Sequence, residues 1–227
     1  MPSGKIWQYI RRYLLKHRKA WRGEIPTLQE MQKILSENKD ITILAVSRRG
    51  VSLMNAIAVT ALYGMQTPIL TIPADVESNP ENYEASGKLL PPEKLVPLQT
   101  EIYIGMKLIM TRNVRKDIDY INGMECVVLG VNKKTSSVLV QTKSGFTVNV
   151  TLRQDMDDLW PPYFPVRPGY ASTVIKFQGA EVRKLLLFLD RPNVPAAAYT
   201  ALSRVRKLED VWLGGALTRQ HFCPASG

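Results

Sequence analysis

Two cysteines, Cys126 and Cys223, and two histidines, His17 and His221, are all that the 227 residues provide of these types. The cysteines lie far apart in the chain, so neither a disulfide framework nor a cysteine-rich zinc site can be built from them, and a reducing compartment fits best. Two histidines with no further ligand at metal spacing exclude a multi-histidine centre, and no metal site is expected. No apolar run approaches the roughly 20 residues that cross a bilayer, and the first residues lack the apolar core of a secretory signal. An intracellular protein without a membrane partner is the expectation. The phosphate-loop pattern G-x-x-x-x-G-K-[ST] is absent too. Ser3-Gly4-Lys5-Ile6 and Ser86-Gly87-Lys88-Leu89 have Gly-Lys without the upstream glycine or the following hydroxyl, and no apolar strand ends in paired acids that could hold a metal. This chain alone should not hydrolyse ATP.

Acid is scarce relative to base. Thirty Lys and Arg against twenty Asp and Glu leave a formal charge of +10, a balance that favours polyanions and makes nucleic acid the first suspect. The imbalance is sharpest between Lys5 and Arg22, where seven Lys or Arg occur and no acid. Ile6, Trp7, Ile10, Tyr13, Leu14 and Trp21 interleave with them at near-helical spacing. A surface helix packed on the rest of the chain, a nucleic-acid-binding arm and a mitochondrial targeting segment all suit this pattern. Thr27 with Glu30 three residues on predicts a capping box for a helix through about Leu35.

Ile41 to Val46 read ITILAV, a continuous apolar run of the kind a strand buried on both faces shows. Ser47 to Gly50 make a turn, and Val51 to Leu62 are helical in character, so strand, turn and helix form half of a βαβ unit. Arg48 and Arg49 in that turn could meet phosphates or simply be solvated. Prolines, Asn79, Asn82 and Gly87 break the pattern between Pro68 and Pro97, which suggests a boundary. Four short β-rich runs follow: Glu101 to Thr111, Glu125 to Asn132, Ser137 to Thr142 and Phe146 to Leu152. With tight turns between them, they describe a small SH3-like barrel or half-barrel. Lys107, Arg112, Asn113, Arg115 and Lys116 form a basic run that would suit single-stranded backbone or a solvated hairpin. Trp160 and Tyr163, beside prolines, are stacking platforms or packed interdomain aromatics. The α/β pattern then resumes, with a possible helix over Pro168 to Val174, a KLLLFL strand at Lys184 to Leu189, a helix over Ala196 to Arg204 and a short strand at Asp210 to Leu213.

Residues 172 to 181, STVIKFQGAE, and 198 to 206, AYTALSRVR, flank the KLLLFLD strand. They resemble motifs V and VI of superfamily 1 helicases of the Pif/RecD type, T-x-H-K-x-Q-G-x-(E/D) and Y-V-A-L-S-R. Residues 43 to 58 are similar to the motif IV region, including its Asn, here Asn55. Residues 105 to 123, GMKLIMTRNVRKDIDYING, resemble the opening of the family's SH3-like insertion. The four matches occur in family order over roughly residues 41 to 215. Ile175 stands where the family has His, and Phe177 where it has Ser.

The resemblance implies an α/β fold: a RecA-like, P-loop NTPase-type parallel-sheet domain interrupted by a small SH3-like β insertion. Residues 1–40 would be the tail of a first RecA-like domain, 41–75 and 156–220 the second, and 76–155 the linker and insertion. The expected function is the C-terminal half of an ATP-dependent DNA helicase, either a fragment or the product of a partial gene. The alternative is a non-catalytic nucleic-acid-binding module or decayed helicase copy. ATP with Mg2+ would serve the complete enzyme and bind this chain weakly; the partners would be single-stranded DNA and the first RecA-like domain. Arg204 matches the arginine finger, which stabilises charge on a transferring γ-phosphoryl group. Gln178, Gly179, Glu181 and Ser203 would accompany it at the nucleotide. Arg48, Asn55, Arg112, Asn113, Thr173 and Lys176 would meet DNA, as hydroxyls, amides and cations do. By analogy the pathway would be genome maintenance, such as telomere upkeep, repair and recombination, in nucleus or mitochondrion of a eukaryote and otherwise in cytoplasm.

Overall fold

The computed structural model describes residues 4–154, 159–177, 181–192 and 194–223. The chain forms two compact units, one from residues 1–62 and 170–227 and the other from 63–169.

The first unit is built on four parallel strands in the order β11-β10-β1-β9: Val211–Gly215, Lys184–Leu189, Ile41–Ala45 and Ala171–Thr173. ITILAV and KLLLFL are thus neighbours, with Ile41 opposite Lys184 and Ala45 opposite Phe188. Central β1 is flanked on its other side by β9, Ala45 facing Thr173. Side chains alternate between the two faces, as a pleated strand requires. Leu44, Leu187 and Leu213 turn to one face, where Leu14 and the helix carrying Ala198 and Ala201 cover them. Phe188 turns to the other, where Trp21 packs at 5.9 Å between ring centroids.

Helix α1, Gly4–His17, buries Leu14 in that core and sets Trp7 against Phe222. The chain beyond it runs along the exposed edge of β11. Ala20 N donates to Leu213 O and Leu213 N to Arg18 O, both at 2.7 Å, so the edge is capped by the chain's own backbone. Trp21 then reaches the far face, and Gly214 makes room for it. The capping box forms as expected: Thr27 N donates to the Glu30 carboxylate at 2.9 Å, Glu30 N donates back to the Thr27 hydroxyl at 3.2 Å, and α2 runs Leu28–Glu37. These bonds hold the exposed Glu30 carboxyl below its ordinary range, the Thr27 backbone bond contributing most. Helix α3, Arg48–Tyr63, begins earlier than the apolar pattern suggested, with Arg48 and Arg49 as its first residues.

The second unit holds a hairpin, β2 (Leu70–Ala74) with β3 (Leu98–Ile102), and a five-stranded antiparallel sheet. That sheet runs β7-β6-β5-β4-β8, from Thr147–Val150, Ser137–Thr142, Glu125–Asn132, Lys107–Met110 and Val166–Pro168. Two expectations are corrected here. The boundary read at residue 75 lies inside this unit, because β2 pairs with β3; Pro73 is accommodated in a two-stranded ribbon, where a missing donor costs little. Pro168 to Val174 is no helix but the end of β8 and all of β9. The motif V segment continues as a 3-10 turn at Val174–Phe177.

A Cβ at Gly214 would stand 2.0 Å from Trp21 Cζ2. Gly214→Ala should therefore destabilise the chain by about 1–3 kcal/mol through overpacking, read as a lower urea midpoint. An unchanged midpoint would remove Trp21 from its place on the sheet.

Candidate functional site

All four strands of the first unit end on one edge, where open parallel sheets gather their ligand-binding loops. Thr173 closes β9, partly buried. Ser47 follows β1, and Asp190 follows β10. The sequence reading missed Asp190, which organises this edge. Its Oδ1 accepts from Val46 N at 2.9 Å and Ser47 N at 3.2 Å, its Oδ2 accepts from the Ser47 hydroxyl, and Gly50 N donates to that hydroxyl at 3.0 Å. The signal was present as an acid directly after a buried apolar strand. Asp190 thus fixes the turn that presents Arg48 and Arg49, both exposed. Beside it opens a cleft of about 960 Å³, with Ser47, Gly50 and Asp190 in its wall and Lys19, Arg22 and Arg49 around it.

Described residues of the two segments that resemble motifs V and VI come together next to β9. Val182 N donates to Arg204 O at 2.9 Å, and Val182 bridges Val205 in parallel. Val174 shares the core cluster of Ala198 and Ala201 in α4, Ala197–Leu202. Arg204 follows α4 in the turn beyond Ser203. It is half-buried, and among the described residues it has no carboxylate partner and its shielded Nε has no hydrogen-bond partner. An orphaned, shielded donor on a cation costs about 1–3 kcal/mol unless an anion meets it. Glu181 pairs instead with Arg206, Nη2 to Oε2 at 2.7 Å, with both side chains exposed. The Ser203 hydroxyl donates to Thr200 O at 2.8 Å. Ile175 is 72% exposed, an apolar group in solvent where the family pattern has His. Gln178, Gly179 and the side chain of Lys176 lie outside the described residues.

Two residues expected at DNA make contacts within the fold. Asn55 is buried, and its Oδ1 accepts from Tyr170 N at 3.0 Å and Ala171 N at 2.9 Å, so its carboxamide ties α3 to the start of β9. Arg112, in the second unit, gives Nη1 to Glu77 at 3.2 Å, lies 3.8 Å from Asp75 and sits over the rings of Trp160 (5.3 Å) and Tyr163 (5.5 Å). Burial opposes its charge, but Asp75, Tyr163 and Glu77 outweigh that and raise its pKa. Burial also raises the Asp75 carboxyl, against Arg112 and Ser78, and lowers the guanidinium of Arg167. Trp160 and Tyr163 are accordingly the walls of an internal ion-pair site, packed with Val76 and Leu95, and not free platforms. Asn113 is exposed, its Oδ1 accepting from Asn122 N at 2.9 Å.

No protein-family model matches the chain, and no curated protein matches it significantly. Solved structures do. Over 87% of this chain and 45% of the other, with a TM-score of 0.61 and 20% identity, it is similar to a structure of two coordinating Pif1 helicases unwinding forked double-stranded DNA. A Bacteroides Pif1 helicase in complex with ADP-AlF3 and single-stranded DNA gives 0.59 at 21% identity, over 88% and 48%. Pif1 helicase from Candida albicans gives 0.59 at 16%, over 96% and 55%. The fold is RecA-like, of the helicase kind. This chain spans about half the length of those structures, and in its RecA-like unit the parallel sheet carries Thr173, Asp190 and the 181–206 pairing.

The site yields two expectations. A Cβ at Gly50 would lie 2.5–2.7 Å from three carboxylate atoms of Asp190. Alanine outdoes glycine inside a helix by about 1 kcal/mol, yet Gly50→Ala should destabilise the chain by about 1–2 kcal/mol. In an Asp190→Ala background the sign should reverse, and additive effects in that double-mutant cycle would refute the contact. His221 is buried, its Nδ1 accepting from Thr218 N at 3.1 Å and its Nε2 donating to Arg191 O at 2.8 Å. Burial lowers its pKa below the ordinary 6.5, so the unfolded chain binds this proton first. Stability should fall as pH drops below 6.5 and level off below the folded value; His221→Gln should flatten that part of the profile.

Proposed function

We propose that the chain is the second RecA-like half of an ATP-dependent DNA helicase, with residues 63–169 as its SH3-like insertion. The observation that carries this reading is Arg204: a half-buried arginine, its Nε shielded and without a hydrogen-bond partner among the described residues, held by the Val182–Arg204 backbone bond where the segments resembling motifs V and VI meet. An anionic oxygen arriving from a facing domain fits such a group, as an arginine finger does. The fold shared with Pif1 helicases and the order of the four sequence motifs support the same reading.

ATP with Mg2+, when bound to the complete enzyme, supplies the phosphoryl group to be transferred. In this chain, Arg204 would bind the γ-phosphate, with Gln178 and Gly179 beside it. Arg206, held by Glu181, positions the motif V segment against the turn of Arg204. Thr173, Lys176 and Arg48 would meet the backbone of single-stranded DNA, whereas Asn55 and Arg112 serve the fold. With no phosphate loop in the sequence, ATP turnover belongs to a first RecA-like domain, and closure of the two domains on ATP would change the grip on DNA.

The test joins this chain to a first RecA-like domain carrying a phosphate loop and measures DNA-stimulated ATP hydrolysis. Arg204→Ala should lower turnover by about a thousandfold and leave affinity for single-stranded DNA unchanged. Arg204-dependent hydrolysis by the chain alone would defeat the proposal. DNA binding without hydrolysis in the joined protein would point to the non-catalytic module instead.

A further inference from the structure

Helix α1 presents a surface that the reading above does not use. Lys5, Tyr9, Arg12 and Lys16 are spaced i, i+4, i+7 and i+11, which puts them in one stripe about 16 Å long. All four are exposed, Tyr9 at 73%. The stripe lies opposite the side that holds Leu14, 1% exposed, and Trp7 against Phe222. None of the three cations has an ion-pair or hydrogen-bond partner among the described residues, and no acid occurs from Lys5 to Arg22. A solvated helix face ordinarily mixes both signs and supports itself with i, i+4 ion pairs. Here every charge on the face has one sign, and a large aromatic stands in the middle of it.

Two kinds of partner attract basic helices. A membrane surface takes the apolar side of an amphipathic helix into its acyl boundary, but here that side is committed to the core with Leu185, Leu187 and Leu213. Single-stranded nucleic acid needs what remains outside: cations for phosphates and an aromatic ring for an unpaired base. We infer that the outer stripe of α1 binds single-stranded nucleic acid, with a base stacked on Tyr9 and the backbone neutralised by Lys5, Arg12 and Lys16. The contact is separate from the Thr173 edge and does not depend on ATP.

The experiment measures anisotropy of a labelled oligothymidylate of about twenty nucleotides with the full chain across a salt series. Replacing Lys5, Arg12 and Lys16 together by Ala should weaken binding at least about tenfold and reduce the salt slope by about 2, at about 0.7 per lost contact. Tyr9→Ala should weaken it at least about fivefold with the slope unchanged, and Tyr9→Phe should restore it. These residues are exposed, so circular dichroism and urea midpoints should match those of the unsubstituted chain. Equal affinity and slope for the triple variant would overturn the proposal. So would a duplex of the same length binding more tightly through the stripe, or α1-dependent sedimentation with anionic vesicles in place of oligonucleotide binding. The helicase reading is tested by ATP hydrolysis in the joined protein and this one by oligothymidylate binding of the chain without ATP, so a failure of either gives a different result.

Discussion

The RecA-like unit depends on β1 being enclosed. Ile43, Leu44 and Ala45 are fully buried, and the strand is paired with β10 on one side and β9 on the other. Both partners come from beyond residue 170, so the chain must return to the point it left before the sheet exists. Everything between α3 and β9 is therefore free to form a unit of its own, provided the return is secured. Asn55 contributes to that security, because its amide oxygen holds the first backbone groups of the returning chain. Removing a buried acceptor that satisfies two backbone donors exposes both to the cost of an unmade bond.

The same enclosure explains how the C-terminal edge of the sheet is shaped. A central parallel strand delivers its following turn to the end of the sheet, and there Asp190, one strand over, accepts both backbone donors and the hydroxyl of that turn. The turn that leads into the arginines at the start of α3 is held by that carboxylate. Gly50 is the local condition for this, since any side chain would displace the carboxylate. In the second unit a different solution appears. Asp75, Glu77, Arg112 and Arg167 form a partly desolvated charge cluster under aromatic walls, where removing one partner would leave the others uncompensated.

Local patterns were legible where the physics is local. The capping box of Thr27 and Glu30 needs only three residues, and ITILAV and KLLLFL announce burial on both faces without reference to their partners. The 173–206 region holds two segments that resemble family motifs, and the backbone bond between Val182 and Arg204 joins their described parts. Asn55 and Arg112 were read as DNA contacts, and Trp160 and Tyr163 were left between stacking platforms and packed aromatics, because a polar or aromatic residue near a turn has the same composition signature whether it faces a ligand or satisfies the interior. β9 was misread as helix because three residues carry no period, and its strand character comes entirely from pairing with β1.

By itself, then, the sequence determined the two buried strands, the capped helix, the basic acid-free α1 and the motif order, since each depends on residue type and short spacing. Only the tertiary structure decided which cations are occupied and which are not. Arg112 and Arg206 are matched by carboxylates from other segments, while among the described residues Arg204, Lys5, Arg12 and Lys16 have no such match. The reason is physical: an ion pair requires two charges within about 4 Å, and that proximity is set by how separated segments fold together, Glu77 with Arg112 and Glu181 with Arg206, which no local pattern encodes.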